Sequence, residues 1–278
     1  MLELLQKLGL PKVSASTQGP AIDHVISLTH WLMLILFVGW GIFFIYTLIR
    51  FRASKNTKAE YSGVKNHYSS YLEAGVAVIE VALLFGFAFP IWASRVNDVP
   101  IDKEAVQIRV VGQQFAWNIH YPGPDGVFGN SSVDLVDEAE NPIGLDRSDD
   151  FAKDDVVTVN QLHIPVNTPI NISLSTKDVI HSFSLTELRV KQDAIPGMEI
   201  PVWFEATMTT EEFLKTTIGT GREGKGFEIA CAQLCGLGHY RMKGFLTVHN
   251  DEGYSAWLQK ELEYLEEEED DDWGDDEW

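Results

Sequence analysis

Two long uncharged stretches limit what this chain can become. Residues 28–49, LTHWLMLILFVGWGIFFIYTLI, run for 22 positions with no formal charge apart from a protonatable His30. Residues 74–94, AGVAVIEVALLFGFAFPIWAS, form a second run of similar length, interrupted by Glu80. A helix rises about 1.5 Å per residue, so either run covers a hydrocarbon layer roughly 30 Å thick. Both are too long and too far from the start to read as a signal peptide. A buried helix of a soluble protein is the alternative, and length and apolarity together favour membrane spans. Between the runs, Arg50, Arg52, Lys55, Lys58 and Lys65 face a single acid, Glu60. The positive-inside rule therefore puts this linker on the cytoplasmic side, or the matrix side of a mitochondrion, and both termini on the outer face.

Glu73 and Glu80 lie seven residues apart and so share a helix face. A carboxylate at membrane depth is costly and is expected to face protein or water. Two helices alone offer Glu80 little cover, which points to a larger membrane partner; the alternative is a carboxyl kept neutral between the two helices.

From Ala105 onward the pattern changes to short alternating runs. Residues 105–121, 155–166, 169–176, 180–186, 201–208, 226–233 and 244–250 are rich in Val, Ile, Thr and aromatics and are separated by Pro, Gly, Asn and Asp. They predict the strands of a β-sandwich or barrel. Residues 122–154 lack periodicity and read as one long loop, a length that is often functional. A helical stretch after Asp251 leads into the tail ELEYLEEEEDDDWGDDEW, residues 261–278. That tail holds twelve acids and no base, more than half of the net charge of −20. So acidic a chain does not bind nucleic acid by neutralising phosphates, whereas it can steer a basic partner; a plain solvated tail is the other reading. The expected division is an N-terminal segment 1–24, a transmembrane helix hairpin 25–100, a β domain 101–250, and a C-terminal helix with acidic tail 251–278.

The only two cysteines sit in CAQLCGLGHYRM, which spaces Cys231, Cys235, His239 and Met242 by four, four and three. A disulfide would close a very small loop, stabilise weakly, and leave the His and Met spacing unexplained. Zinc suits two thiolates and imidazoles, but Met is a poor zinc ligand. Thiolate, imidazole and thioether together form a copper set. A mononuclear blue copper site uses one Cys, whereas two thiolates on one tight loop can bridge two copper ions, each capped by an imidazole. A second histidine is then required, and His181 in KDVIHSFSL is the best candidate; His163, His120 and His249 compete.

Two apolar runs, an outward β domain, and DVIHSF, DAIPGM and CAQLCGLGHYRM in that order resemble subunit II of the haem-copper cytochrome c oxidases, from about residue 25 to residue 258. The resemblance implies an α+β membrane protein: an N-terminal two-helix transmembrane hairpin followed by an all-β cupredoxin domain, a Greek-key sandwich or barrel. It implies a dinuclear copper centre, CuA, with Cys231 and Cys235 bridging both ions. His181 and Met242 would complete one copper, and His239 and the backbone carbonyl of Gln233 the other. The implied role is to take electrons from cytochrome c or a similar haem protein and pass them to haem in subunit I. There, within a proton-pumping oxidoreductase, oxygen is reduced to water. Implied partners are subunit I, other oxidase subunits and membrane lipid. The implied location is a bacterial inner membrane, multi-pass, with the copper domain periplasmic, or the equivalent mitochondrial membrane.

The chain departs from the family pattern in places. Gln233 replaces a Glu that helps hold magnesium at the boundary with subunit I, so that site is expected to be weakened; Asp193 matches a position near the same boundary. Met198 replaces an Arg. QFAWNIHY replaces an aromatic Trp-Tyr-Trp run, which leaves Phe115 and Trp117 as the candidate electron-input aromatics. Glu73 falls where the family has a proton-channel entrance, and Asp178 at a position on the cytochrome-facing surface, with an ordinary turn Asp as its plainer reading. No CxxCH motif comes after the β domain, so no fused haem c is expected. The alternative readings are the CuA subunit of a related nitric oxide reductase and a membrane-tethered copper electron shuttle.

Overall fold

A computed structural model describes residues 1–58, 61–63, 65–97, 99–100 and 105–272. Glu60 of the basic linker, the boundary at residue 101 and the last six tail residues lie outside them. The chain forms two compact units. One comprises Met1–Lys12 with Pro20–Asp98, the other Val13–Gly19 with Val99–Trp278.

In the first unit a short helix α1, Leu2–Lys7, precedes α2, Gly19–Arg50. A second long helix runs as α3, Tyr68–Leu83, through one π-helical turn, Leu84–Ala88, into α4, Phe89–Asn97. The π turn comes just before Pro90, which has no N–H to bond the carbonyl four residues back. A local change of hydrogen-bond pattern there relieves the conflict. Gly19–Arg50 and Tyr68–Asn97 are both long and apolar enough to cross a membrane, and neither buries its apolar window within the structure. Phe37, Trp40, Ile42 and Phe85 are all exposed. Glu73 and Glu80 are exposed as well.

The second unit holds two five-stranded sheets. The strands are β1 Val106–Gln113, β2 Ala116–Tyr121, β3 Val156–Val159, β4 Gln161–Pro165, β5 Pro169–Thr176, β6 His181–Leu185, β7 Val190–Ala194, β8 Ile200–Glu205, β9 Phe227–Cys231 and β10 Lys243–His249. One sheet has the order β3-β2-β1-β5-β8 and the other β4-β10-β9-β6-β7. The β1–β5 and β4–β10 pairs are parallel, the remaining pairs antiparallel. Along β5, Ile170, Ile172 and Leu174 are buried while Asn171, Ser173 and Ser175 are less so, as a sheet with one core face requires. Trp117, Phe183, Phe204 and Phe227 fill the space between the sheets.

Residues 105–121 are a hairpin rather than one strand. A single residue, Asn160, separates β3 from β4, which lie in different sheets. Its φ of 61° is a left-handed conformation that asparagine tolerates. Its side-chain carbonyl accepts the Trp117 N–H at 2.9 Å, its own N–H donates to Trp117 O, and its carbonyl accepts from Phe245 N. The sheet-switching corner is therefore closed by hydrogen bonds. Helix α5, Thr210–Thr217, begins at a capping box of Thr209 and Glu212 and stacks Phe213 on Phe227 at 4.1 Å. Helix α6, Asp251–Asp272, packs Trp257, Leu258, Leu262 and Leu265 against the core. The segment before α2 also joins this unit. Ala15 is fully buried, Ser16 pairs with Ala206, and Ser16 Oγ donates to Leu188 O.

Residues 122–154 contain two 3-10 turns, Val133–Leu135 and Asp150–Ala152. The loop is pinned at its base by Asp155, wholly buried, whose Oδ2 accepts from Gly129 N at 2.8 Å and faces His120 Nε2 at 2.6 Å. Its far part is held by Lys177, which donates to Pro142 O and to Glu138.

Candidate metal centre

Three segments meet at one end of the sandwich: the turn between β1 and β2, the start of β6, and the stretch from the end of β9 to the start of β10. The last of these carries Cys231, Cys235, His239 and Met242. It is short, glycine-rich and bent back on itself. Ala232 N donates to Ser182 O, Cys231 N to Met242 O, and Met242 N to His239 O. His239–Arg241 form a 3-10 turn. Gly236, at a φ of +139°, and Gly238 sit under the ring of Phe115; a Cβ at Gly238 would lie 2.4 Å from it. No side chain but hydrogen fits there.

This fold brings the ligand-type atoms together. The two sulfurs lie 3.8 Å apart and both thiols are free. His181 Nδ1 is 3.9 Å from Cys231 Sγ, and the Gln233 carbonyl is 3.1 Å from the same sulfur. Cys235 Sγ lies 3.6 Å from His239 Nδ1 and 3.6 Å from Met242 Sδ. His181 is completely buried, Cys235 and Met242 nearly so, and Cys231 and His239 are half-buried. His181, Cys231 and Cys235 are the one group of three His, Cys or acidic side chains among the described residues whose ligand atoms converge within 4.8 Å. Burial, with Cys231 alongside, pushes the Cys235 thiol up to about 11. A metal that binds here must displace that proton, because the thiolate is the ligand.

The orientation of His181 is set from behind. Its Nε2 lies 2.8 Å from Asp178 Oδ1. With Nε2–H donated to the carboxylate, the Nδ1 lone pair is left facing the sulfurs. Burial pushes the Asp178 carboxyl up, but hydrogen bonds from His181 and from the N–H groups of Gln114 and Val179 outweigh it and hold the group below its usual value. Asp178 is thus a partner of His181, a role its sequence position did not reveal. His120 and His163 lie elsewhere, His120 with Asp155 and His163 with His249.

The aromatics divide. Phe115 is half-buried over the cysteine loop, with the Arg241 guanidinium 5.7 Å from its ring centre. Trp117 is fully buried and meets His181 edge-on at 5.9 Å and Phe183 at 5.5 Å. It lines the back of the site and offers no surface to a docking protein. Gln114 carried no signal in the sequence. Here its side-chain amide donates to the Cys235 carbonyl at 2.5 Å, and its N–H donates to Asp178 Oδ2 at 2.7 Å. Glu73 belongs to the other unit.

Two thiols, two imidazole nitrogens turned toward them, a thioether and a carbonyl form a soft to intermediate donor set. That chemistry fits copper and does not fit a hard, oxygen-seeking cation.

Residues 106–247 match the family model of the periplasmic domain of cytochrome c oxidase subunit II. An alternative cytochrome c oxidase subunit 2 from Bradyrhizobium diazoefficiens is 33% identical over 88% of this chain and 82% of that protein. A cytochrome c oxidase subunit 2 from Cereibacter sphaeroides is 26% identical over 92% of this chain and 83% of its own length. The crystal structure of the periplasmic domain of a Bradyrhizobium japonicum cytochrome oxidase subunit II aligns with 60% of this chain and 99% of that domain, at 28% identity and a TM-score of 0.40.

Proposed function

The chain belongs to the cytochrome c oxidase subunit II family, and from that premise we propose that it is the electron-input subunit of a respiratory oxidase. It takes electrons from cytochrome c or a similar haem protein at a dinuclear copper centre and delivers them to haem in subunit I, where oxygen is reduced and protons are pumped. The observation that carries this reading is the convergence of His181, Cys231, the Gln233 carbonyl, Cys235, His239 and Met242 around one pair of sulfurs. These residues would hold two copper ions, which supply one-electron exchange.

The chain's own residues make that exchange cheap in rearrangement. Five of the six ligand-bearing residues lie on a stretch closed by main-chain hydrogen bonds. His181 is held by Asp178 and walled by Trp117. A cage fixed in this way leaves its ligands little room to shift when charge changes. Leu234, Leu237 and Tyr240 of the cysteine loop, all strongly exposed, and the half-buried Phe115 of the β1–β2 turn lying over that loop present an apolar surface. An electron donor docking here would approach over Phe115. The two apolar helices anchor the chain by crossing the membrane twice, with the β unit on the periplasmic side. Glu73 is proposed to stand at the mouth of a proton path shared with subunit I, and Glu80 to face that subunit.

The test is copper analysis and electron paramagnetic resonance on the full chain purified in detergent. Two copper ions per chain and a hyperfine pattern from one unpaired electron shared by both nuclei are expected. A single copper, or preferential zinc uptake, would overturn the reading.

A further inference from the structure

The ligands sit on two separate segments, the start of β6 and the 231–242 stretch. Pairing of β6 with β9, Phe183 opposite Cys231, and the bond from Ala232 N to Ser182 O tie the His181 segment to the Cys231 end of that stretch, but the turn that carries Cys235 lies outside this pairing. One residue outside both segments touches each of them. Gln114, at the β1–β2 turn, donates its side-chain amide to the carbonyl of Cys235 at 2.5 Å. Its main-chain N–H donates at 2.7 Å to Asp178 Oδ2, the carboxylate whose other oxygen meets His181 Nε2 at 2.8 Å. An unbroken line of hydrogen bonds therefore runs from the backbone of one sulfur ligand through Gln114 and Asp178 to the imidazole ligand.

An independent feature of the loop agrees. A Cβ at Gly236 would come within 2.6 Å of the Gln114 amide nitrogen. The missing side chain at Gly236 is what lets the glutamine reach the Cys235 carbonyl. The turn is itself restrained by its neighbours. Gln113 donates to Glu138 at 3.0 Å, and Asn118 donates to Gln113 at 2.9 Å. Gln114 thus projects from a fixed base.

We propose that Gln114 is a positioning residue of the metal site, tying the Cys235 turn to the His181–Asp178 segment so that Cys235 is spaced from His181 before copper binds. It touches no ligand atom and acts through the Cys235 backbone and the Asp178 carboxylate. Ties of this kind around a metal govern its retention and its electronic surroundings more than the stability of the fold.

The inference rests on the copper reading, and the experiment separates the two. The full chain in detergent is loaded with copper as wild type, Gln114→Met, Asp178→Asn and the double variant. Copper loss to excess chelator, the paramagnetic resonance spectrum, and thermal unfolding of the copper-free protein are then measured. Gln114→Met keeps the main-chain N–H and cuts only the link to Cys235. It should lose copper about ten-fold faster and shift the hyperfine splitting, while the copper-free protein unfolds at the wild-type temperature. Since the two links lie in series, the double variant should lose copper no faster than the more affected single variant. Should the methionine variant fold poorly, Gln114→Glu keeps the length and removes the donor, and the same faster loss is expected. A Gln114 variant with wild-type spectrum and release rate, or strictly additive effects in the double variant, would overturn the inference. A wild-type chain that takes up no copper overturns the copper reading instead.

Discussion

At the scale of single residues, the centre rests on side chains with unequal tolerance for change. Met242 is buried and lies 3.6 Å from Cys235 Sγ. Met242→Leu conserves volume, so stability should fall by less than about 1.5 kcal/mol. Copper should remain bound while the reduction potential shifts and electron transfer slows. An unchanged potential in a redox titration would argue against thioether ligation. Asp155 is a different kind of residue. Its carboxylate satisfies the Gly129 N–H and His120 at the base of the 122–154 loop. Asp155→Ala strands both donors in a dry site and should cost about 3 kcal/mol, read as a lower denaturation midpoint in urea; a shift below about 1 kcal/mol would mean that the loop is held elsewhere. The Cys, His and Met cluster was legible as a candidate site because metal-ligand chemistry needs those residue types at close spacing. Gln114 was not, because a glutamine in a turn has no distinctive pattern and its partners lie 64 and 121 positions away.

At the scale of elements, α6 is latched to the β unit by a stack. The Trp257 ring lies on His163 at 4.4 Å and 2°, and His163 Nδ1 is 2.8 Å from His249 Nε2. Burial, and then the neighbouring His249, hold His163 down to about 4, and burial lowers His249 as well. In the unfolded chain a histidine takes up its proton near its ordinary 6.5. Below that pH the unfolded state binds more protons than the folded one. Stability contributed here is therefore full above about 6.5 and is lost as pH falls toward 4. The thermal midpoint should decline across that window, and His163→Gln should flatten the decline. An equally steep slope in the variant would assign the acid sensitivity to other groups. Strand β5 was legible from its alternation, and the apolar helices from their length. Strand β7, VKQDA, was not, since a short polar segment becomes a strand only by pairing with β6. Helix α5 is signalled by TTEE, a capping box that marks a helix start only when a packing face such as Phe213 comes next to hold the turn against the core.

At the scale of the whole molecule, charge is the dominant feature. The chain carries −20, concentrated after residue 260. Such a field raises encounter rates with a basic protein at low ionic strength and is screened over about 10 Å at 0.1 M salt. Removing residues 261–278 should slow association with a basic haem-protein donor about ten-fold at low salt and leave the rate at high salt unchanged. Equal rates for both proteins in low salt would exclude steering by the tail. The amino-acid order alone determined the two apolar helices, the β class of the second unit, the candidate ligand residues and the acidic end, because each is a local property of composition or period. Tertiary structure alone decided that 13–19 joins the β unit, that Trp117 faces inward behind His181, and that Gln114 and Asp178 stand between the two ligand segments. Those facts are contacts between positions far apart in the chain, and only the packing of two sheets against each other selects which distant residues meet.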